Sequence, residues 1–147
     1  MMPHILVQRL HPDAQLPSYA HSGAHGDLAA DLYTVSDCTV QPGATLAIAT
    51  GIALGMPPGF GALIEDRSGL ALRGLTTLAG VIDPGYRGEV KVVMVNLSST
   101  PHQISAGDRI AQMRIIPMLQ ATFAFAESLD ETERAAGGFG STGRGLA

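Results

Sequence analysis

The clearest structural signal in the sequence is Gly80-Val81-Ile82-Asp83-Pro84-Gly85-Tyr86-Arg87-Gly88-Glu89, together with the run Val90-Lys91-Val92-Val93-Met94-Val95 that follows it. Asp-Pro-Gly-Tyr is typical of a tight turn, because Pro fixes φ at the second turn position and Gly accepts a positive φ at the third. The apolar pair before the turn and the β-branched run after it predict two strands that meet there. We therefore expect Asp83 at a rigid strand end, with Tyr86 close enough to face the same cavity.

The Asp83 carboxylate has two interpretations. An Asp at the first position of a β-turn usually accepts a local hydrogen bond from the backbone, and this stretch alone favours that role. Four other short polar or Gly-rich motifs lie along the chain in a recognisable order, and they favour a functional site instead.

The composition predicts one all-β domain. The chain has 147 residues, enough for a proper core, and it is 46% hydrophobic with only 15% charged residues. Its 18 Gly and 9 Pro favour many short strands and turns. Short strands separated by frequent turn signals are the pattern of a β-sandwich or a closed barrel. We expect a jelly-roll-like sandwich or barrel over residues 1–126, with at most one short helix, near residues 70–75.

Alternating apolar residues and turn signals place the individual strands. The expected strands cover residues 3–10, 28–35, 44–54, 60–65, 90–95, 109–116 and 121–126. Residues 72–80 and 96–101 are expected to be loops. Asp31 interrupts the apolar pattern of its strand, so we expect it to point into a polar site.

The tail from residue 127 differs from the rest of the chain. Four acidic residues crowd positions 127–133, and a segment too Gly-rich to fold by itself follows. We expect residues 127–147 to form a flexible arm, and a disordered end without a role is the alternative. Phe139 is able to stack on a base, and Gly-flanked N–H groups with the hydroxyls of Ser141 and Thr142 suit a phosphate.

Charge and cysteine content argue against several classes. The net charge of −4 argues against a protein that binds duplex nucleic acid. The single cysteine, Cys38, excludes an internal disulfide and a Cys-rich zinc site. No stretch is apolar enough to span a membrane and no signal-peptide pattern is present, so we expect a cytosolic protein without a membrane partner. Of the 9 basic residues, Lys91 is the only Lys, and an excess of Arg suits a small polyanion held in loops.

Five motifs together resemble one known family. They are Gly26-Asp27-Leu28-Ala29-Ala30-Asp31-Leu32-Tyr33, Arg67-Ser68-Gly69-Leu70-Ala71, the stretch 80–89, Gly107-Asp108-Arg109-Ile110-Ala111-Gln112 and Arg134-Ala135-Ala136-Gly137-Gly138-Phe139-Gly140-Ser141-Thr142-Gly143. With these five motifs in this order, the sequence resembles the homotrimeric deoxyuridine triphosphatases (dUTPases). The resemblance implies a trimer whose three active sites are shared between subunits, with the arm of one chain closing over a site of its neighbours. It also implies Mg²⁺-dependent hydrolysis of dUTP to dUMP and pyrophosphate.

The resemblance also implies a role for each matched residue. Asp83 is the expected catalytic residue, which accepts a proton from the water that attacks the α-phosphorus. Asp31 is the expected metal residue, which holds Mg²⁺ through water, with a cap or turn role as an equal alternative. The expected substrate-binding residues are Arg67, Ser68, Gly69, Gly80, Val81, Ile82, Tyr86, Lys91, Gln112, Arg134, Phe139, Gly140, Ser141 and Thr142.

These substrate-binding residues divide by the part of dUTP that they contact. By the resemblance, residues 80–82 and the facing strand through Lys91 are expected to read uracil, and Tyr86 is expected to pack under the sugar. The second motif and Gln112 are expected to hold the phosphates. The arm is expected to reach the terminal phosphate and to cover the base with Phe139.

The sequence departs from the family pattern at four places. Leu28-Ala29 replaces the usual Ala-Gly of the first motif, and Ala135 replaces a Gly of the fifth. Asp66 stands where Pro usually precedes Arg67, and an acid there is expected to tune or weaken phosphate binding. Thr77 stands where many bacterial members carry Asn, and the segment between the second and third motifs is short.

Two other functions remain open. The dCTP deaminases resemble this family in fold and third motif, but they place a water-activating Glu in the strand after the turn, where Val93 stands here. A non-catalytic trimeric β-module that binds nucleotide or protein is the second alternative. Asp83 argues against it, because a module that only binds needs no carboxylate beside the α-phosphate.

Overall fold

The structure is a computed structural model that describes residues 2–145. The ends of the expected domain and arm, at residues 1, 146 and 147, lie outside the described residues. In chain order the elements are β1 (Leu6–Arg9), β2 (Ala30–Tyr33), β3 (Cys38–Val40), β4 (Thr45–Gly55), β5 (Phe60–Glu65), α1 (Ser68–Leu72), β6 (Leu75–Leu78), β7 (Val81–Ile82), β8 (Glu89–Asn96), β9 (His102–Ile104) and β10 (Arg109–Pro117).

The strands form two four-stranded antiparallel sheets and a two-stranded ribbon. The first sheet has the order β1-β4-β8-β6, the second has the order β2-β10-β5-β7, and β3 pairs with β9 in the ribbon. The prediction of an all-β sandwich with one short helix is confirmed, because the strands of residues 2–145 form an open sandwich rather than a closed barrel.

The core lies between the two sheets. Successive side chains of a strand point to opposite faces, and β8 shows this alternation, with Val92 and Met94 buried and Lys91 exposed. Val92 and Met94 belong to the same apolar cluster as Leu32 and Met113 of the second sheet, and all four are at most 2% exposed. This shared core fixes the two sheets relative to each other.

The predicted turn is present, and it joins the two sheets. The Tyr86 N–H donates to the Asp83 carbonyl oxygen at 3.1 Å, which closes the turn. The strand before it, β7, pairs with β5, whereas the strand after it, β8, pairs with β4 and β6. The two strands therefore meet at the turn without pairing with each other.

Three parts of the chain differ from the expected arrangement. The helix occupies Ser68–Leu72 rather than residues 70–75, and β6 forms within the expected loop 72–80. β6 exists because Leu75–Leu78 pairs with β8, and Leu75 is only 1% exposed. The three-residue ribbon strands β3 and β9 were also not predicted, since runs this short give little alternation to detect.

The prediction of a last strand over residues 121–126 is wrong for the single chain, which has no strand there. From Met118 to Gly145 the structure shows turns and irregular backbone. β10 already pairs with β2 on one side and β5 on the other, so it offers this segment no free edge. Phe123 is 94% exposed, and Phe125 is fully exposed.

Within residues 2–145, no helix has the length and apolar character needed to cross a membrane.

Candidate functional site

The third motif lines a pocket of about 260 Å³ beside the turn. All six residues predicted for the base, sugar and catalysis lie in its wall: Gly80, Val81, Ile82, Asp83, Tyr86 and Lys91. The pocket lies between the end of β7 and the outward face of β8, so residues from both sheets meet there.

A tight bend before β7 shapes the pocket wall. Ala79 and Gly80 have φ values of 60° and 105°, and the Gly80 carbonyl oxygen accepts the N–H of Ile64 at 2.8 Å. A Cβ atom on Gly80 would lie 2.8 Å from the Ile64 carbonyl oxygen, which real Cβ contacts do not allow. The bend therefore requires glycine at position 80 and presses the pocket wall against β5.

The Tyr86 ring is fixed by local contacts. Its hydroxyl donates to the Glu89 carbonyl oxygen at 2.8 Å, and its ring covers Gly88, where a Cβ would lie 2.5 Å from the hydroxyl oxygen. Tyr86 remains 46% exposed, so the ring has a surface left for a ligand.

The two carboxylates of the pocket have different surroundings. The backbone carbonyl of Asp83 closes the turn, so the exposed Asp83 side chain is not needed for that purpose. The Glu89 carboxylate accepts the N–H of Gly51 at 3.2 Å, which supports the bulge between β4 and β8. Val93, also in the pocket wall, adds only apolar surface.

The first, second and fourth motifs form a charged cluster around Asp31. The Nε atom of Arg67 lies 3.2 Å from one Asp31 oxygen, and the Nε atom of Arg109 lies 3.6 Å from the other. The Arg67 guanidinium also donates to the Arg109 carbonyl oxygen at 3.3 Å. The Asp31 side chain is only 16% exposed, whereas those of Arg67 and Arg109 are 35% and 48% exposed. Both arginines therefore keep N–H groups for a ligand.

Arg109 was missed by the sequence reasoning. Its place in the fourth motif, three residues before Gln112, was the available signal. Its guanidinium carbon lies 5.7 Å from the ring centroid of Tyr33, close enough for a cation–π contact that helps to orient it.

Gln112 joins the same cluster from β10. Its position pairs with Asp31 on β2 and with Glu65 on β5, and its side-chain amide donates to the Asp66 carbonyl oxygen at 2.7 Å. Ser68 and Gly69 follow Arg67 at the exposed start of α1, and a Cβ on Gly69 would meet nothing within 4 Å. The residues of the second and fourth motifs that were predicted to hold the phosphates are thus gathered on one surface: Arg67, Ser68, Gly69 and Gln112.

The arm residues lie apart from both groups. Arg134 donates from Nε to the Gly137 carbonyl oxygen at 2.8 Å, and Phe139 is fully exposed. Ser141 and Thr142 line a concavity built only from residues 133–142, which also contains Gly140. Ala135, where the family usually has Gly, has a φ of 49°, a left-handed conformation that costs a non-Gly residue about 1–2 kcal/mol.

The site residues of one chain therefore occupy three separate surfaces. We call them the turn pocket (residues 80–93), the Arg67–Arg109 cluster and the arm. Asp31, Arg67 and Gln112 do not line the turn pocket, and within residues 2–145 no hydrogen bond or ion pair links the arm to the other two.

Fold and site together define an all-β sandwich protein with a divided site, and comparison with known sequences identifies the family. The dUTPase family profile matches residues 14–143. The deoxyuridine 5'-triphosphate nucleotidohydrolase of Solibacter usitatus is 49% identical over 143 residues, covering 95% of this chain and 96% of the relative. The enzyme of the same name from Thermobifida fusca is 47% identical over 141 residues, covering 93% and 77%. The chain belongs to the dUTPase family.

Solved structures confirm the jelly-roll-like fold. A point mutant of the phage 80alpha dUTPase superposes with a TM-score of 0.84 at 24% identity, covering 96% of this chain and 99% of the phage chain. A second mutant of the Staphylococcus bacteriophage 80alpha dUTPase, solved with dUpNHpp, gives 0.83 at 23% identity, covering 95% and 98%.

Gly80→Ala tests the bend that shapes the turn pocket. A Cβ at a positive φ and against the Ile64 carbonyl should lower the free energy of unfolding by about 2 kcal/mol. Urea denaturation at equal chain concentrations measures the change. The matched control is Gly85→Ala, where a Cβ would meet nothing within 4 Å, and its effect should stay within about 0.5 kcal/mol. Equal stability of the two variants would contradict the described bend.

Proposed function

We propose that this chain hydrolyses dUTP to dUMP and pyrophosphate at sites shared between the subunits of a homotrimer. One observation carries the proposal: each of the three surfaces suits a different part of dUTP. The relatives named deoxyuridine 5'-triphosphate nucleotidohydrolase support it. Such an activity keeps uracil out of DNA and supplies dUMP. The cytosolic location expected from the sequence stays a prediction.

The turn pocket suits a deoxyuridine. A rigid wall of backbone at residues 80–82 offers donors and acceptors that imitate a pairing base, and cytosine presents the wrong polarity to them. A methyl group on the base would clash with so close a wall, which excludes thymine. Tyr86, fixed over Gly88, packs under the sugar and leaves no room for a 2′-hydroxyl. Lys91 lies on the facing strand.

Asp83 suits the role of general base. Its carboxylate lies exposed in the pocket wall, immediately after β7, and is not used to close the turn. A bound water loses a proton to this carboxylate as its oxygen attacks the α-phosphorus. The bond from the α-phosphorus to the bridging oxygen breaks, and pyrophosphate leaves. The chemistry is chiefly positioning and charge stabilisation, so a single aimed carboxylate is sufficient.

The Arg67–Arg109 cluster suits the triphosphate. Planar guanidinium groups present paired N–H donors to phosphate oxygens, and Gln112 adds an amide beside them. Ser68 and Gly69 lie exposed at the same surface, where a phosphate is free to approach the backbone. Asp31 holds both arginines in place before the substrate arrives.

The residues of the cluster fit Mg²⁺ only together with a triphosphate. Residues 2–145 contain no group of three or more His, Cys, Asp or Glu side chains that would hold a metal by themselves. Mg²⁺ in nucleotide enzymes is commonly bound by one or two carboxylates plus phosphates and waters. Asp31, beside the phosphate-binding arginines, is the carboxylate that would hold it through water. When bound, Mg²⁺ neutralises charge on the phosphates.

The divided site supports the trimer. The turn pocket and the cluster do not meet within one chain, so a complete site needs a second copy. The segment 118–129 exposes large apolar side chains, including Leu119 at 94% and Leu129 at 88%. Such a row of exposed apolar residues is expected to be covered by another subunit. The arm, residues 127–147, begins within this segment and would then reach a neighbouring site with Arg134, Phe139, Gly140, Ser141 and Thr142.

The pocket wall argues against the two alternatives. A deaminase needs a free acid on β8, but Val93 stands there and the Glu89 carboxylate is bound to the N–H of Gly51. A module that only binds has no use for the exposed Asp83 carboxylate. Ammonia released from dCTP would support the deaminase, and no turnover of dUTP, dCTP, dTTP or UTP would support the module.

Asp83→Asn tests the general base. The amide keeps the size and turn position of the side chain but accepts no proton, so pyrophosphate release from dUTP should fall at least about a hundredfold. Affinity for a non-hydrolysable dUTP analogue, measured by calorimetry, should stay close to that of the unmodified chain. Near-normal turnover would remove Asp83 from this role.

Deletion of residues 134–147 tests the arm. The arm has no hydrogen bond to the sandwich within the described chain, so the truncated protein should fold and assemble as a trimer. Its turnover of dUTP should be poor, because nothing covers the base and terminal phosphate. Sedimentation measures assembly and pyrophosphate release measures turnover. A truncated protein that no longer assembles would show that the arm is structural.

A further inference from the structure

Asp66, the residue after β5, accepts three hydrogen bonds from β6 and β10. One carboxylate oxygen accepts the Thr76 hydroxyl at 2.5 Å, and the other accepts the Thr77 N–H at 2.6 Å. Its backbone carbonyl accepts the Gln112 side-chain amide at 2.7 Å. One residue at the end of β5 is thus bound to both β6 and β10.

These bonds close the loop that carries the second motif. The loop runs from Asp66 to Thr76 and presents Arg67, Ser68 and Gly69. α1 within it buries no residue, and its N-cap makes no side-chain hydrogen bond. Leu70 packs against the core, and the Arg73 and Gly74 carbonyl oxygens accept hydrogen bonds from His102 and from the Leu97 N–H. The Asp66 carboxylate adds the bonds that join the start of the loop to its far end.

Two departures from the family pattern are hydrogen-bonded to each other. Asp66 stands where Pro is usual, and Pro has no carboxylate to offer to β6. Thr77 stands where Asn is usual, and its N–H is one of the two groups bound by Asp66. The bond uses the backbone N–H of Thr77, so it accounts for the carboxylate at position 66 and not for the side chain at position 77.

The carboxylate is held in its charged form. Burial alone would raise the pKa of Asp66, but the hydrogen bonds from Thr76 and Thr77 bring this pKa below its usual value. The charge faces β6, and Arg67 makes its ion pair with Asp31. The expectation that this acid weakens Arg67 therefore finds no contact to support it.

We propose that Asp66 is a positioning residue that fixes the second-motif loop and the Gln112 amide in the geometry that binds the triphosphate. The proposal rests on the proposed phosphate-binding function of Arg67 and Gln112. It goes beyond that function because Asp66 itself touches no part of the substrate.

The effect should be confined to the phosphates. β6 is held by four backbone pairs with β8, from Leu75 to Leu78, which do not depend on Asp66. Loss of the carboxylate should therefore leave the turn pocket in place and loosen the loop at its start, next to Arg67. The affinity for a ligand with three phosphates should then fall, while the affinity for a ligand with one phosphate should change little.

Asp66→Ala and Asp66→Asn test the proposal. For Asp66→Ala, affinity for a non-hydrolysable dUTP analogue should fall about tenfold or more, because bonds to a charged acceptor are lost. Affinity for dUMP should stay within about twofold. Asp66→Asn should restore most of the loss, because its amide oxygen accepts the Thr77 N–H and its NH₂ donates to the Thr76 hydroxyl. Calorimetry measures both ligands.

Two matched variants keep the test decisive. Thr76→Val removes one donor and keeps the shape of the side chain, so it should show part of the same selective loss even if Asp66→Ala fails to fold. Asp13→Ala removes a carboxylate in the exposed loop after β1, outside the five motifs, and it should leave both affinities unchanged.

The outcomes separate this proposal from the proposed function. Equal losses for dUTP analogue and dUMP, or no rescue by Asp66→Asn, would overturn the positioning role. If Asp66→Ala leaves both affinities unchanged while Gln112→Ala strongly weakens binding of the dUTP analogue, the positioning role of Asp66 is rejected and the phosphate-binding cluster stands. Unchanged analogue affinity in both Arg67→Ala and Gln112→Ala would instead reject the phosphate-binding cluster itself.

Discussion

The chain crosses from one sheet to the other at the turn of residues 83–86, and the geometry of the pocket depends on this crossing. β7 is bound to β5, while β8 is bound on both sides and buries Val92 and Met94 in the shared core. The two residues before β7 take positive φ values, so the backbone is pressed against β5 with no room for a side chain at Gly80. The backbone that carries the Asp83 carboxylate is therefore held in place on the pocket wall.

The second constraint is the separation of the three surfaces within one chain. The central strand β10 brings Arg109 and Gln112 to Asp31 on β2 and to Asp66 beyond β5, and this gathers the Arg67–Arg109 cluster on the second sheet. The turn pocket opens elsewhere, and within residues 127–145 the hydrogen bonds of the arm stay inside the arm. Large apolar side chains between β10 and the arm are exposed. Under the proposed function, a complete site therefore requires more than one subunit.

Much of the fold was predictable from local chemistry. Asp-Pro-Gly-Tyr identifies its turn because Pro84 fixes φ, although Gly85 does not take the positive φ that was expected, and the alternation of β8 identifies its buried face. The family resemblance, not local chemistry, selected the residues that line the turn pocket and those of the cluster except Arg109, and their roles stay predictions. What local chemistry did not give depends on partners distant in sequence. β6 forms through its pairing with β8, and β3 and β9 are too short to predict apart from each other. Residues 121–126 have strand-like alternation but no partner in the same chain. The Asp66 contacts were not predicted either, because the residues that they join are about ten positions apart in a loop of unknown path.

The shared site can be tested by mixing two inactive chains. Asp83→Asn has an intact cluster, and Gln112→Ala has an intact turn pocket, so a mixed trimer would contain some sites with both intact parts. Co-expression with two affinity tags allows mixed trimers to be purified, and pyrophosphate release from dUTP measures their activity. Each purified mixed trimer has one complete site out of three, so it should recover about a third of the activity of the unmodified protein. Activity no higher than the sum of the two variants alone would contradict a site built from different subunits.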